Sequence, residues 1–96
     1  MSYYIIYKTT NLVNRKIYVG KHKQQTSGFD GYYGSGKILN LAIDKYSKEN
    51  FVRETIEFCT SSCLNDQEIY WIQELSSTNK DIGYNLTRGG DEWFLC

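Results

Sequence analysis

Residues 3–20 carry the pattern that most constrains the fold, an alternation of side chains that is typical of a β-hairpin. In residues 3–10 the odd-numbered side chains share one face and the even-numbered ones share the other. Aromatic and β-branched residues, which favour strands, fill this stretch. Asn11 and Asn14 favour a turn, and residues 16–20 are predicted to form the return strand.

The register of this hairpin decides where its tyrosines lie. A turn centred between Leu12 and Val13 places Tyr7 directly opposite Tyr18. Directly opposed residues have Cβ atoms roughly 4.5 to 5.5 Å apart. We therefore expect two phenols within reach of one small ligand, water or metal, although a simple cross-strand aromatic pair is the structural alternative. A slip of one residue would move one ring to the other face.

Two further elements follow a loop predicted for residues 21–36. Residues 36–47 have helical spacing, and Ser35 is placed to cap that helix. Its core-facing stripe consists of Ile38, Leu39, Ala42, Ile43 and Tyr46. Residues 51–59 are predicted to form a third strand, with Val52, Ile56 and Phe58 on one face and Arg53, Thr55 and Glu57 on the other.

A second helix is predicted over residues 65–76. Asn65 and Glu68 have the spacing of a capping box, and Glu68 also shares a helical face with Ile72 and Leu75. A carboxylate beside a core stripe needs a cation, a metal or hydrogen bonds. The residues alone leave a cap and a ligand equally open for Glu68.

The predicted fold is α+β, a small three-stranded antiparallel sheet flanked by helices in β-β-α-β-α order. The 96 residues are expected to form one domain, 1–96. No apolar run reaches the roughly 20 residues that a membrane-spanning helix needs, and no signal-peptide pattern begins the chain. We therefore expect a soluble, cytoplasmic protein without membrane association.

Charge is distributed unevenly along the chain, although the formal net charge is +0. Residues 1–43 carry six basic side chains and one acidic one, a balance of +5, whereas residues 44–96 carry five basic and ten acidic side chains, a balance of −5. This polarity is compatible with a phosphate-facing side, and equally with a chance segregation of surface charge.

The three cysteines do not have the number or spacing of a structural zinc site. Cys59 and Cys63 form a C-x3-C pair, Cys96 is distant, and His22 is the only histidine. Buried free thiols are the expectation.

Four short motifs occur along the chain: Ile5-Ile6-Tyr7, Tyr18-Val19-Gly20, Glu68-Ile69-Tyr70-Trp71-Ile72 and residues 83–90. Together they resemble the motifs of the GIY-YIG nucleases. Ile5-Ile6-Tyr7 and Tyr18-Val19-Gly20 are similar to the paired motif that names the family, with Ile5 where the family has Gly and Arg15 where an Asn-Gly turn is usual. Residues 68–72 resemble E-x-x-W-I, and residues 83–90 resemble the closing G-Y-N-L-T-x-G-G. The matches occur in family order and cover about residues 3–90.

The phage-type branch of the family is the better match. Many members have an arginine in a helix about ten residues after the second motif, where it would bind a DNA phosphate; this chain has Gly28 at that position. The chain instead resembles members with a GK-H and a Y-x-GSGK segment. The replacement for the missing cation is therefore sought among five side chains: Lys21, His22, Lys23, Lys37 and Arg53.

The resemblance implies a DNA endonuclease that depends on Mg²⁺ or Mn²⁺, with no small-molecule cofactor. Glu68 would hold the metal, Tyr7 would activate water and Tyr18 would orient water or phosphate. Asn85 would bridge back to the site through its amide. A phenol near a metal and lysines is expected to lose its proton more readily than in water. A catalytically weakened DNA-binding remnant and a protein-interaction domain are the alternatives.

Overall fold

The structure, a computed structural model, describes residues 2–89. Its strands are β1 (Tyr3–Asn11), β2 (Ile17–Gln24) and β3 (Phe51–Cys59), and its helices are α1 (Lys37–Tyr46) and α2 (Leu64–Glu74). A short 3₁₀ turn, Lys48–Asn50, joins α1 to β3. The antiparallel sheet has the order β2-β1-β3. The predicted α+β fold and element order are confirmed, whereas Gly90 and Cys96 lie outside the described residues.

The hairpin turns one residue later than predicted. Tyr7 pairs with Gly20, and Tyr18 pairs with Thr9, so the expectation that the two tyrosines are directly opposite is wrong. Arg15, with φ of 69°, accommodates the turn. The observed partner of Tyr7 lies two residues beyond the predicted partner. Because side chains on a strand alternate between faces every residue, a shift of two residues keeps both tyrosines on one face of the sheet.

β2 is longer than the predicted return strand. Its pairing with β1 continues to Gln24, which lies opposite Tyr3. Lys21, His22 and Lys23 are therefore strand residues, and the loop predicted for residues 21–36 begins only after Gln24. The sequence cue was weak because charged side chains there interrupt the apolar pattern.

A register shift in β3 changes the predicted faces of that strand. Ile6 pairs with Glu57 and Tyr7 with Thr55, so one extra residue, Ile56, is inserted opposite β1. Beyond this bulge the alternation is reversed. Phe58 therefore lies with the face of Arg53, and Glu57 lies with the face of Ile56, contrary to the prediction.

The sheet has apolar clusters on both faces. One joins the sheet to α2 and consists of Ile6, Val19, Leu64 and Ile72. The other joins α1 to the opposite face and consists of Leu39, Ala42, Phe51 and Tyr84. The predicted stripe of α1 is confirmed as core. The predicted Ser35 cap is wrong, because Gly36 is the N-cap residue and no side chain caps the helix.

The segment after α2 covers the outer edge of β2. The Ile17 amide donates to the Ile82 carbonyl at 3.0 Å, and the Tyr84 amide donates to the Ile17 carbonyl at 2.8 Å. Further along, the Asn85 side chain receives a hydrogen bond from the Val19 amide and donates one to the Val19 carbonyl, both at 2.9 Å. The Asn85 amide thus takes the place of a backbone peptide and continues the ladder.

Both described cysteines are free thiols, as expected. Cys59 and Cys63 are only partly exposed rather than buried, which corrects the expected burial. Within residues 2–89 no group of three or more potential ligands among His, Cys, Asp and Glu could hold a metal ion. No helix in that range combines the length and apolar character required to cross a membrane.

Tyr84→Phe is expected to destabilise the fold. The Tyr84 hydroxyl accepts from Asn11 Nδ2 at 3.0 Å and from Asn14 Nδ2 at 3.2 Å. Asn11 is fully buried, so losing this acceptor leaves a buried amide unsatisfied. We expect a loss of about 1–3 kcal/mol in the free energy of unfolding, measured by urea titration. Tyr70→Phe, at a half-exposed ring, is the matched control, and equal stability of the two variants would contradict the assignment.

Candidate active site

A cavity of about 400 Å³ receives side chains from both faces of the sheet. Tyr7, Tyr18 and His22 lie on the face of α1, and Lys21 lies on the face of α2, which also supplies Glu68. A cavity lined from both faces must open around an edge of the sheet. Because β2 is an edge strand, the cavity lies at its outer side.

Gly20 lets the Tyr7 ring reach that edge. Its cross-strand partner is Tyr7, and a Cβ built on Gly20 would lie 2.6 Å from Tyr7 Cζ, far inside van der Waals contact. The ring therefore lies over the bare backbone of β2. Any larger residue at this position would occupy the volume of the phenol.

The Tyr18 ring lies against the segment between Gly34 and Gly36. A Cβ on Gly34, whose φ is +143°, would approach Tyr18 Cε2 to 3.0 Å and Leu39 Cδ2 to 2.6 Å. The centroids of the Tyr7 and Tyr18 rings are 6.3 Å apart, with planes tilted by 40°. The two phenols thus meet in one cavity, although they are not directly opposed in the hairpin.

The surroundings of Tyr7 oppose loss of its proton. Burial, the nearby phenols of Tyr18 and Tyr32, a hydrogen bond with Tyr32 and the Glu68 carboxylate all raise the pKa of Tyr7. The protein groups named here therefore act against the expected loss of the Tyr7 proton, and that expectation, which included a bound metal, stays a prediction. The activation of water by Tyr7 likewise stays a prediction.

Glu68 faces the cavity from the buried stripe of α2. Its residue is 8% exposed, and its Oε1 lies 3.8 Å from Lys21 Nζ. Lys21 in turn donates a hydrogen bond to Asn65 Oδ1. The capping-box alternative is wrong, because α2 begins at Leu64 after the N-cap residue Cys63, and no side chain caps it.

The residues around Glu68 fit a divalent cation that keeps most of its own waters. Mg²⁺ is commonly bound through one or two carboxylates, with water and substrate phosphate completing the shell. Gly89 leaves room beside the carboxylate, since a Cβ there would lie 3.1 Å from Glu68 Oε1. A single carboxylate facing an open cavity suits this chemistry better than a closed, all-protein site.

His22 is fixed from two sides at the cavity. Its Nε2 lies 2.8 Å from Asp30 Oδ2, and its ring stacks on Tyr32 with centroids 4.1 Å apart. Burial alone would raise the pKa of Asp30, but hydrogen bonds from His22 and the Tyr32 amide, with the charge of Arg53, hold it below its usual value. Asp30 is therefore a carboxylate acceptor.

Arg53 faces inward but does not line the cavity. Its side chain is 1% exposed, and its guanidinium donates to the Tyr32 carbonyl at 3.1 Å and to Gln24 Oε1 at 2.9 Å. The guanidinium carbon also lies over the rings of Tyr7 and Phe29, 5.3 and 4.9 Å from their centroids. Arg53 therefore anchors the loop after β2, and this placement does not suit the predicted contact with DNA phosphate.

A second cavity, of about 280 Å³, adjoins the first and shares Tyr18, Ser35 and Glu68 with it. Lys37 and Asn85 line this second cavity, with Lys37 exposed at the start of α1. Lys23 is exposed and lines the first cavity, with its Nζ 5.8 Å from the centroid of the Tyr4 ring. All predicted site residues except Arg53 thus border one of the two cavities.

Three residues of the site were not identified from the sequence. Tyr32 and Ser35 line the larger cavity, and Asp30 holds His22 there. All three lie in a stretch that has no strand or helix pattern, so periodicity could not place them. The Y-x-GSGK resemblance, which includes Tyr32 and Ser35, was the available signal.

Comparisons with known proteins identify phage endonucleases as relatives. The chain is 41% identical to segB over 90 residues and 42% identical to segE over 91 residues, two proteins of Enterobacteria phage T4 whose endonuclease names are provisional. It is 38% identical to endonuclease segA of the same phage over 90 residues. These alignments cover 92–93% of this chain but only 40–42% of the relatives. No family model matches the sequence.

One solved structure shares the fold. The catalytic domain of intron endonuclease I-TevI, solved as a mutant with one glutamate replaced by alanine, superposes with a TM-score of 0.70. The superposition covers 91% of this chain and 96% of that domain at 22% sequence identity. The arrangement of sheet and helices is therefore that of the I-TevI catalytic domain.

Proposed function

We propose that this chain, which carries a GIY-YIG domain of the phage endonuclease type, cleaves DNA by metal-dependent hydrolysis of phosphodiester bonds. The convergence of Tyr7, Tyr18 and Glu68 in one cavity is the observation that carries the proposal. The three side chains come from both faces of the sheet, which purely structural packing would not require.

Each part of the cavity has a role in phosphodiester hydrolysis. Glu68 would hold Mg²⁺ or Mn²⁺, which supplies charge that polarises the phosphate and offsets the developing negative charge. The Tyr7 and Tyr18 hydroxyls would orient water and phosphate by hydrogen bonds. Asn85 does not aim its amide at the cavity, since both of its polar atoms bond the Val19 backbone. It acts as a positioning residue for β2.

Lysines at the cavity would bind the DNA backbone. Lys23 and Lys37 are exposed at the two mouths, where a phosphate could approach them from solvent. Lys21 is nearly buried beside Glu68 and would act on the phosphate at the reacting centre. Backbone contacts of this kind make binding fall with salt concentration. A cytoplasmic location, in a phage-infected or bacterial cell, is part of the same proposal.

Nicking of supercoiled plasmid tests the proposal. We expect conversion to the open-circular form with Mg²⁺ or Mn²⁺. We expect no conversion with EDTA, because EDTA removes the metal. Glu68 supplies the only carboxylate that lines the described cavity, and this single protein ligand would hold the metal there. Readdition of metal should restore nicking. Cleavage that persists unchanged in EDTA would contradict the metal dependence, and retention of DNA without nicks would favour a non-catalytic domain.

A further inference from the structure

His22 and Asp30 form a hydrogen-bonded pair at the rim of the larger cavity. His22 Nε2 lies 2.8 Å from Asp30 Oδ2, and the other carboxylate oxygen accepts from the Tyr32 amide at 3.1 Å and from Arg53 Nη1 at 3.4 Å. The carboxylate is thereby fixed by three elements of the fold. Stacking on Tyr32 fixes the plane of the imidazole.

This arrangement selects one tautomer of the histidine. An ionised carboxylate can only accept hydrogen bonds, so the imidazole nitrogen facing Asp30 carries the hydrogen. In the neutral ring the other nitrogen, Nδ1, then has a lone pair. Among the described residues no hydrogen bond to Nδ1 is formed, and the ring lines the cavity.

Building on the proposed function, we propose that His22 Nδ1, rather than the Tyr7 hydroxyl, accepts the proton of the attacking water and that Asp30 is the positioning residue that holds His22 in the required tautomer. A water O–H bond breaks, its proton goes to Nδ1, and the water oxygen forms the new bond to phosphorus. The bond from phosphorus to the leaving oxygen breaks, and that oxygen takes a proton from solvent. The imidazolium then returns its proton to solvent.

An imidazole with one nitrogen held by a carboxylate can accept a proton from water at its other nitrogen, as a general base does. Several other ionisable groups surround the ring. They are Asp30 and Tyr32 from the loop after β2, Tyr7 from β1, Tyr18, Lys21 and Lys23 from β2, Arg53 from β3 behind Asp30, and Glu68 from α2 across the cavity. The carboxylate of Asp30 is the charged group in direct hydrogen-bond contact with the ring.

One substitution distinguishes the proton-acceptor role of His22 from a role in which the residue only supplies positive charge. His22→Lys retains a cation but removes the acceptor, so we expect it to lose about 10²- to 10⁴-fold in rate.

The positioning role of Asp30 has its own readout. We expect ¹⁵N NMR of the imidazole to show the Nε2–H tautomer in the unaltered protein. In Asp30→Asn the side-chain amide can donate instead, so the Nδ1–H form should grow and the nicking rate should fall by about 10²-fold or more. Asp44→Asn, on the exposed side of α1, is the charge-matched control and should change neither property.

The outcomes separate this inference from the proposed function. Metal-dependent nicking that is unchanged in His22→Lys overturns the proton-acceptor role and leaves the endonuclease intact. An Nδ1–H tautomer in the unaltered protein overturns the positioning role of Asp30. Absence of nicking in the unaltered protein under all metals overturns both proposals together. Thermal melting of each variant shows whether lost activity reflects lost folding.

Discussion

Glu68→Gln is expected to reduce metal-dependent nicking of plasmid DNA by at least about 10²-fold while the protein stays folded. The substitution keeps the size of the side chain and its hydrogen-bonding capacity but removes the charge that faces the cavity. Loss of several kcal/mol of transition-state stabilisation corresponds to this reduction. Single-turnover rates across a Mg²⁺ titration would measure it.

The surroundings of Glu68 define the control for this experiment. Lys21 lies nearly buried beside the carboxylate, so the variant leaves that cation with less counter-charge and some loss of stability is expected. Glu74→Gln removes a carboxylate from an exposed position of the same helix and should leave nicking unchanged. Full cleavage by folded Glu68→Gln would show that the charge of Glu68 is not needed to hold the metal.

Gly20→Ala is expected to have the second largest effect, on stability as well as on nicking. The new methyl group would occupy the place of the Tyr7 ring, whose Cζ lies 2.6 Å from it. Overpacking of this kind costs about 1–3 kcal/mol in the free energy of unfolding. A displacement of a reacting group by about 1 Å can reduce the rate by about 10²-fold. Urea titration and nicking rates measure the two effects.

Two further variants isolate the cause. Gly28→Ala adds the same methyl group where no atom lies within 4 Å, so it should change neither stability nor nicking appreciably. In a Tyr7→Ala background the clash is absent, and Gly20→Ala should then be close to neutral for stability. An equally large loss in both backgrounds would show that the effect does not arise from the Tyr7 ring.

Alternation and spacing were sufficient to predict the elements of the fold. The three strands, the two helices and the apolar stripe of α1 follow from side-chain periodicity, a local property of the chain. The prediction that Tyr7 and Tyr18 share one face was also correct although the predicted register was wrong, since the observed pairing is shifted by an even number of residues. The placement of Glu68 on the buried stripe of α2 was equally local.

Contacts between segments that are distant in the chain could not be predicted from side-chain periodicity. The bulge at Ile56, the inward turn of Arg53 and the pairing of His22 with Asp30 each depend on which segments pack together. The ionisation of Tyr7 is a further case, because burial and neighbouring phenols determine its pKa. No periodic pattern carries this information.

The sequence by itself determined the strands, the helices and, except beyond the bulge in β3, the faces that their side chains share, because backbone geometry repeats every two or 3.6 residues. The tertiary structure alone decided that the rings of β1 and β2 and the acid of α2 meet around the edge of one strand. The absence of a side chain at Gly20 leaves the space that the Tyr7 ring occupies. The need for glycine at this position is visible only in the folded protein, because Tyr7 lies 13 residues away in the chain.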